Sequence, residues 1–218
     1  MKVAVIALSV IALLFIEASM QGRFGQLIKI IDDDGLGGGL LLAGSQTGEE
    51  SCPADAERVD EYRLVRAIFL VERLAVPGVK RWAARWLVRL SLIAGIDPPD
   101  FSLGMGQIKL STLTKLRDQA KSRGEAVEMP APLELVEQLE DWCKGQDLGV
   151  QLVSRLYGVK LGDDRLIPRS EILRAAALWN GQGRSARIEA VIANARYREL
   201  VYETMVALRF AQQSGSAN

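Results

Sequence analysis

The sequence predicts a mainly α-helical protein that contains one shaped glycine loop. Apolar residues recur at spacings of three and four through most of the chain after residue 54, as they do on the buried face of a helix. Proline and glycine clusters divide this pattern into segments of helix length. The strong apolar-polar alternation typical of a half-buried strand is not found. A chain of 218 residues is long enough to bury a core of such helices.

The first 20 residues have the pattern of a signal peptide or a membrane anchor. Lys2 precedes an apolar run from Val3 to Ile16, which is of signal-peptide length and short for a membrane span. Met20 stands where a cleavage site prefers a small residue, so an uncleaved anchor is one alternative and an ordinary buried element is another. Residues 21–53 are interpreted as a flexible linker, because their glycine run lacks the Lys-Ser/Thr ending of a phosphate loop.

The composition limits the possible chemistry. Lysine and arginine together number 27, as do aspartate and glutamate, so the balance of charge gives no support to nucleic-acid binding. The chain has no histidine, which excludes Ser-His-Asp and Cys-His nucleophiles and the usual zinc ligand sets. We expect no cofactor and no metal. Cys52 and Cys143 pair if the chain is exported, or are two free thiols, since their distance is unknown.

A helical domain is predicted from residue 54 to 212, with a frayed polar tail at 213–218. Its first helix starts near residues 53–56, runs to about Val76 and ends at Pro77. Ser111 or Thr112 is expected to cap the third helix, and Ser170 the sixth. The second to seventh helices are expected at residues 80–92, 111–122, 133–142, 148–157, 171–179 and 186–211.

The second predicted helix is both basic and aromatic. Arg81, Arg85 and Arg89 recur at intervals of four residues beside Trp82 and Trp86. Such a helix is suited to a membrane surface or an anionic polymer, which would make the protein a membrane-associated adaptor. The commoner interpretation is a surface helix that buries its tryptophans.

Glu72, on the first helix, is the candidate catalytic residue. Its neighbours one and two turns away on the helix face are apolar, namely Val65, Ile68, Phe69, Ala75 and Val76. Desolvation in such a stripe raises the pKa of a carboxyl group, and a carboxyl that is partly protonated near neutral pH can act as a general acid. The alternative is a glutamate at the rim of the core that pairs with an arginine.

The segment from Phe101 to Lys109 is expected to form the glycine loop. Gly104 and Gly106 permit backbone that other residues cannot adopt and allow another molecule to approach closely. The segment is therefore a shaped loop or a short strand. We expect it to form one wall of a groove whose opposite wall carries Glu72.

Three segments now stand in a characteristic order, namely Ala67–Arg73 on a helix, Ser102–Ile108 in the loop, and Ala175–Gly181 at the end of a later helix. This set resembles the lysozyme-like lytic transglycosylases, which are related to goose-type lysozymes. That family has a helix with the catalytic glutamate, then a Gly-x-x-Gln-Ile loop, then an Ala-x-Tyr-Asn-Gly segment. The resemblance covers about residues 58–202.

The resemblance implies a lysozyme-like domain that cleaves the β-1,4 bond between N-acetylmuramic acid and N-acetylglucosamine in peptidoglycan. Glu72 would be the general acid and then the base. The residues implied to line the groove and bind the glycan strand are Ser102, Gly104, Gln107, Trp179 and Asn180. The implied location is the periplasm, with residues 1–20 exporting the domain or anchoring it in a bacterial inner membrane.

The chain also departs from the family pattern. Arg73 follows the glutamate where many members have serine, and Trp179 replaces the usual tyrosine. One alternative is a true lysozyme, in which Asp97 or Asp100 supplies a second carboxylate across the groove from Glu72. Asp100 is better interpreted as a loop or turn residue. Another alternative is a non-catalytic glycan-binding or envelope-scaffold protein.

Overall fold

Seven helices and one β-hairpin form the part of the chain that the structure describes. This structure is a computed structural model, and it describes residues 52, 58–76, 78–124, 130–162, 165–180 and 188–215. The helices are α1 Val59–Ala75, α2 Gly78–Ile93, α3 Leu110–Ser122, α4 Pro132–Glu140, α5 Trp142–Gln151, α6 Arg169–Trp179 and α7 Ile188–Gly215. The strands are β1 Ser102–Leu103 and β2 Ile108–Lys109, and a π-helical turn at Leu152–Leu156 continues α5.

The mainly helical fold class is confirmed, and most of the expected helices are found within a few residues of their expected bounds. The interpretations of residues 1–20 as export segment and of residues 21–53 as linker lie outside the described residues, apart from Cys52. The expected start of α1 before residue 58 also lies outside them. At the other end α7 continues to Gly215, beyond the expected end at residue 211.

Helix α1 lies at the centre of the fold, because it is apolar on most of its sides. Leu64, Val65, Ile68 and Phe69 are at most 1% exposed. The helix packs against α5 and α7, so its faces are covered by elements from later in the chain. Asp60, at its start, accepts hydrogen bonds from the Arg209 guanidinium of α7 and from the backbone N–H of Ile167. These contacts fix the position of α1, the helix that carries Glu72.

Helix α5 begins at Trp142, several residues before the expected start at 148. The Asp141 carboxylate caps it by accepting hydrogen bonds from the N–H groups of Cys143 and Lys144. A glycine inside a helix normally weakens it, yet Gly149 is required here by packing. A Cβ at that position would lie 2.5 Å from a methyl carbon of Val65 on α1.

The expected capping serines do not cap their helices. The residues at the N-cap positions of α3 and α6 are Lys109 and Pro168, and neither makes a side-chain capping bond. Instead, Ser111 donates hydrogen bonds from its hydroxyl and its backbone N–H to the Asp100 carboxylate. Asp100 therefore ties the loop before β1 to the first turn of α3.

Helix α2 does not bury its tryptophans, so that expectation is wrong. The core side of α2 carries the small residues Ala84 and Val88, while Trp82 and Trp86 are 62% and 45% exposed.

Two ion pairs join α2 to α4. Arg89 pairs with Glu137, and Arg85 pairs with Glu140. None of the helices within the described residues is long and apolar enough to cross a membrane.

Cys52 and Cys143 form a disulfide, with their Cα atoms 5.3 Å apart. The sequence left this pairing open against two free thiols. The bond joins the segment before α1 to the first turn of α5.

Candidate functional site

Glu72 is buried in the last full turn of α1, with 8% of the residue exposed. The Tyr197 hydroxyl on α7 donates a hydrogen bond to its Oε1 atom over 2.7 Å. Among the described residues, no lysine or arginine forms an ion pair with Glu72. Its partner is thus a neutral hydroxyl and not the arginine of the alternative interpretation.

Burial determines the charge state of this carboxyl group. Desolvation raises the pKa of Glu72 to about 7, against a smaller lowering by the hydrogen bond from Tyr197. Burial and the nearby carboxylate raise the pKa of Tyr197 well above its ordinary value, so the tyrosine keeps its proton. Near neutral pH, Glu72 is therefore present in both its acid and its base form.

The glycine segment is a tight antiparallel hairpin, which agrees with the expected shaped loop or short strand. Ser102 of β1 pairs with Lys109 of β2, and the turn runs from Gly104 to Gln107. Both ends of this turn have a positive φ, +68° at Gly104 and 52° at Gln107. A non-glycine residue in the left-handed region costs about 1–2 kcal/mol, so the surrounding packing must hold Gln107 there.

The two turn glycines allow close packing within the protein itself. A Cβ on Gly104 would lie 2.0 Å from the Leu139 carbonyl oxygen of α4. A Cβ on Gly106 would lie 2.1 Å from the Phe69 ring of α1. The sequence suggested that these glycines admit a ligand, whereas their Cβ directions are filled by α4 and α1. Phe69 stands three residues before Glu72, so the hairpin rests one helical turn from the carboxyl group.

Trp179 braces the hairpin from the end of α6. Its indole N–H donates a hydrogen bond to the Gly106 carbonyl oxygen over 2.8 Å. Its ring meets those of Phe69 and Tyr157 edge to face, with centroids 6.1 and 6.2 Å apart. Asn180 follows directly as the exposed C-cap residue of α6. The sugar-binding roles of Trp179 and Asn180 remain predictions.

Ser102 and Gln107 lie together at an open cavity of about 290 Å³. The Gln107 side-chain N–H donates back to the Gly104 carbonyl oxygen over 2.9 Å, which fixes its amide. The cavity is lined by Lys80, Ala84, Asp100, Phe101, Ser102, Gln107 and Lys109. Glu72 is not among these residues. Ser102 and Gln107 therefore share this cavity, whereas the other predicted glycan-binding residues, Gly104, Trp179 and Asn180, do not line it. This cavity is thus not the expected groove with Glu72 on its opposite wall.

The two candidate second carboxylates differ in position. Asp100 lines the cavity with Ser102 and Gln107, but it accepts hydrogen bonds from Ser111 and lies 3.6 Å from the Lys109 ammonium group. Asp97 lines a separate, largely apolar cavity of about 420 Å³ near the end of α2. Asp100 thus stabilises the local loop structure, as the sequence favours, and also borders the cavity.

Sequence reasoning missed Tyr197. Its spacing of four from Val201, and of eight from Met205, marks the buried face of α7, and all three are at most 4% exposed. That spacing predicts burial, but nothing local indicates that the hydroxyl meets a carboxyl 125 residues earlier.

Comparisons with protein-family models, curated proteins and solved structures find no match to this chain. In the part of the chain described here, no group of three or more acidic, cysteine or histidine side chains is arranged to hold a metal ion.

Proposed function

We propose that this protein is a lysozyme-like lytic transglycosylase that cleaves peptidoglycan with Glu72 as its single catalytic carboxyl. The observation that carries the proposal is a buried glutamate with a pKa near 7 that accepts a hydrogen bond from Tyr197. This glutamate lies one helical turn after Phe69, the residue of α1 that the glycine hairpin contacts. The order of the three motifs in the sequence also supports it. The proposal includes export to the periplasm, or anchoring in the inner membrane, through residues 1–20.

The reaction needs one group that first gives and then takes a proton. Protonated Glu72 donates to the glycosidic oxygen as the bond from that oxygen to the muramic C1 breaks. The muramic C6 hydroxyl then attacks C1 and passes its proton to the Glu72 carboxylate, which closes a 1,6-anhydro ring and restores the acid. No water is consumed. A pKa near the working pH suits both halves of such a cycle.

The surrounding residues have separate tasks in this proposal. Tyr197 orients the Glu72 carboxyl and keeps its pKa from rising further. Ser102 and Gln107 offer hydroxyl and amide groups to sugar and N-acetyl oxygens at the cavity. Trp179 holds the hairpin in place through its hydrogen bond to the Gly106 carbonyl oxygen. This contact uses the indole N–H and does not need the hydroxyl that the family tyrosine would supply.

A hydrolytic lysozyme is the second candidate, because Asp100 borders the same cavity as Ser102 and Gln107. A carboxylate across the groove could activate a water molecule. The engagement of Asp100 by Ser111 and Lys109 favours its turn role and therefore transglycosylation.

The test is digestion of purified peptidoglycan by the full chain, with products identified by mass spectrometry. We expect 1,6-anhydro-muropeptides, and a rate loss of about 10²-fold or more in Glu72→Gln, which cannot donate the proton. Asp100→Asn is the matched control and should still form anhydro products. Reducing-end products that depend on Asp100 would instead identify a lysozyme. Equal product release by the parent and Glu72→Gln would contradict both catalytic proposals.

A further inference from the structure

Helix α2 carries a continuous apolar stripe on the side that faces away from the core. The stripe residues follow one another at spacings of three and four, which places them on one helix face. They are Val79 (69% exposed), Trp82 (62%), Trp86 (45%), Leu90 (51%) and Ile93 (68%). Ile96, in the turn after the helix, extends the stripe and is 50% exposed.

This exposure is a consequence of how α2 packs. Its core side is occupied by Ala84 and Val88, whose small side chains bring the helix close to the hairpin and α4. The stripe residues lie on the opposite face of the helix and therefore remain exposed. A contiguous apolar surface of this kind on a folded protein usually marks a site of interaction with a partner or a membrane.

The two tryptophans indicate which kind of surface fits. The rings of Trp82 and Trp86 lie edge to face with centroids 6.2 Å apart, near the middle of the stripe. Tryptophan is enriched at the boundary between lipid chains and headgroups, where its apolar ring and its N–H group are both accommodated.

The charges along the stripe point to an anionic surface. The residues of α2 include Lys80, Arg81, Arg85 and Arg89 and no aspartate or glutamate. Arg85 borders Trp82, and Arg89 borders Ile93, at helix-neighbour spacing. Both arginines pair with α4 and yet keep 36% and 25% of their side chains exposed. Since α2 carries no aspartate or glutamate, a second copy of the same helix face would offer these cations no complementary charge.

We propose that the stripe, defined as Val79, Trp82, Trp86, Leu90, Ile93 and Ile96, docks on a bilayer that contains anionic phospholipid. The tryptophans enter the headgroup boundary, and Arg85 and Arg89 meet the lipid phosphates. The expected signal or anchor at residues 1–20 would deliver the domain to such a surface. The inference does not depend on Glu72 or on the proposed reaction.

The test uses the full chain with vesicles of phosphatidylglycerol and phosphatidylcholine whose acyl chains carry bromine near the headgroup, which quenches nearby tryptophan fluorescence. Two of the four tryptophans of the chain lie on the stripe, so we expect loss of up to about half of the emission. In the variant Trp82→Phe/Trp86→Phe this loss should disappear. Equal fractional quenching of the parent and this variant would overturn the proposal, even if the N-terminal segment holds both on the vesicle.

A matched pair of charge substitutions tests the rest of the stripe. Leu90→Glu should strongly reduce quenching, whereas Leu161→Glu, an exposed leucine far from α2 in the chain, should leave it unchanged. Vesicles of phosphatidylcholine alone should quench less than the anionic ones. If Leu90→Glu instead dissociates a dimer in sedimentation and leaves quenching unchanged, the stripe is a self-interface and the lipid proposal is wrong.

Discussion

At the scale of single residues, the burial of Glu72 suits proton transfer but lowers the stability of the folded chain when the carboxyl group is ionised. Its carboxyl group is buried, and its hydrogen-bond donor is the neutral hydroxyl of Tyr197. Ionising such a group without a cation beside it costs free energy, and the raised pKa expresses that cost. Structural glutamates usually gain a partner that lowers their pKa, as Glu171 does with Arg174.

The pKa of Glu72 predicts how stability changes with pH. The pKa of Glu72 is about 7 in the folded chain against an ordinary value of 4.5, so between these values the folded state holds a proton that the unfolded state releases. The free energy of unfolding should therefore fall as pH rises from about 4.5 to about 7, by about 3 kcal/mol from this group. In Glu72→Gln this fall should be absent, so the free energy of unfolding of the variant should rise relative to that of the parent as the pH increases to 7 and above. Urea unfolding of both proteins at pH 4, 6 and 8 measures it.

Tyr197→Phe is the companion variant for that experiment. Removing the hydroxyl takes away the hydrogen bond that lowers the pKa of Glu72, so the fall in stability should extend to higher pH than in the parent. An identical pH dependence in the parent and Glu72→Gln would show that the carboxyl does not titrate in this range, and would contradict both expectations.

At the scale of elements, the hairpin is positioned by glycines that press it against α1 and α4. Trp179 fastens it by a hydrogen bond to Gly106, and Gln107 accepts a strained backbone within the same turn. The hairpin is therefore positioned by contacts with three helices, α1, α4 and α6. In the proposed site, these contacts would keep the groups on the hairpin at a set distance from the Glu72 carboxyl group.

Two glycine substitutions separate backbone strain from close packing. Gly104 and Gly95 both have positive φ, but a Cβ at Gly95 meets nothing within 4 Å, whereas one at Gly104 meets the Leu139 carbonyl oxygen. We expect Gly95→Ala to cost about 1 kcal/mol from strain alone. Gly104→Ala should cost about 1–3 kcal/mol more, because the hairpin must move away from α4. Urea denaturation measures both, and equal costs would show that α4 does not constrain the turn.

At the scale of the whole molecule, the site depends on contacts between distant parts of the chain. Helix α7 brings Tyr197 to Glu72, and Arg209 on the same helix binds Asp60 at the start of α1. The disulfide joins Cys52 to Cys143 across 91 residues. All these links end on α1 or beside it, so the position of Glu72 is determined by both ends of the domain.

The disulfide should contribute strongly to global stability. A cross-link that closes a loop of about 90 residues restricts the unfolded chain by about 4.5 kcal/mol in the chain-entropy model. We expect Cys52→Ser/Cys143→Ser to lower the free energy of unfolding by about that amount, and the reduced parent to behave like the variant. Urea unfolding with and without a reductant measures both, and stability that is unchanged in either would contradict the expectation.

The amino-acid sequence was sufficient to predict the features that depend on neighbours within a few turns. The helical period set the spans of α2, α3 and α6 to within two residues or so, and the apolar neighbours of Glu72 predicted its burial and raised pKa. The glycine pattern located the hairpin. Local spacing is sufficient for these because one face of a helix, or one turn, is built from consecutive residues.

Tertiary packing set the features that depend on which element lies against each face of a helix or hairpin. It gave Glu72 a tyrosine partner from α7, turned Gly104 and Gly106 toward α4 and α1, and extended α5 through its glycines. It also left the tryptophans of α2 in solvent, because they lie on the helix face opposite the buried residues Ala84 and Val88. Each outcome depends on contacts between residues far apart in the chain, and those contacts form only when the helices pack.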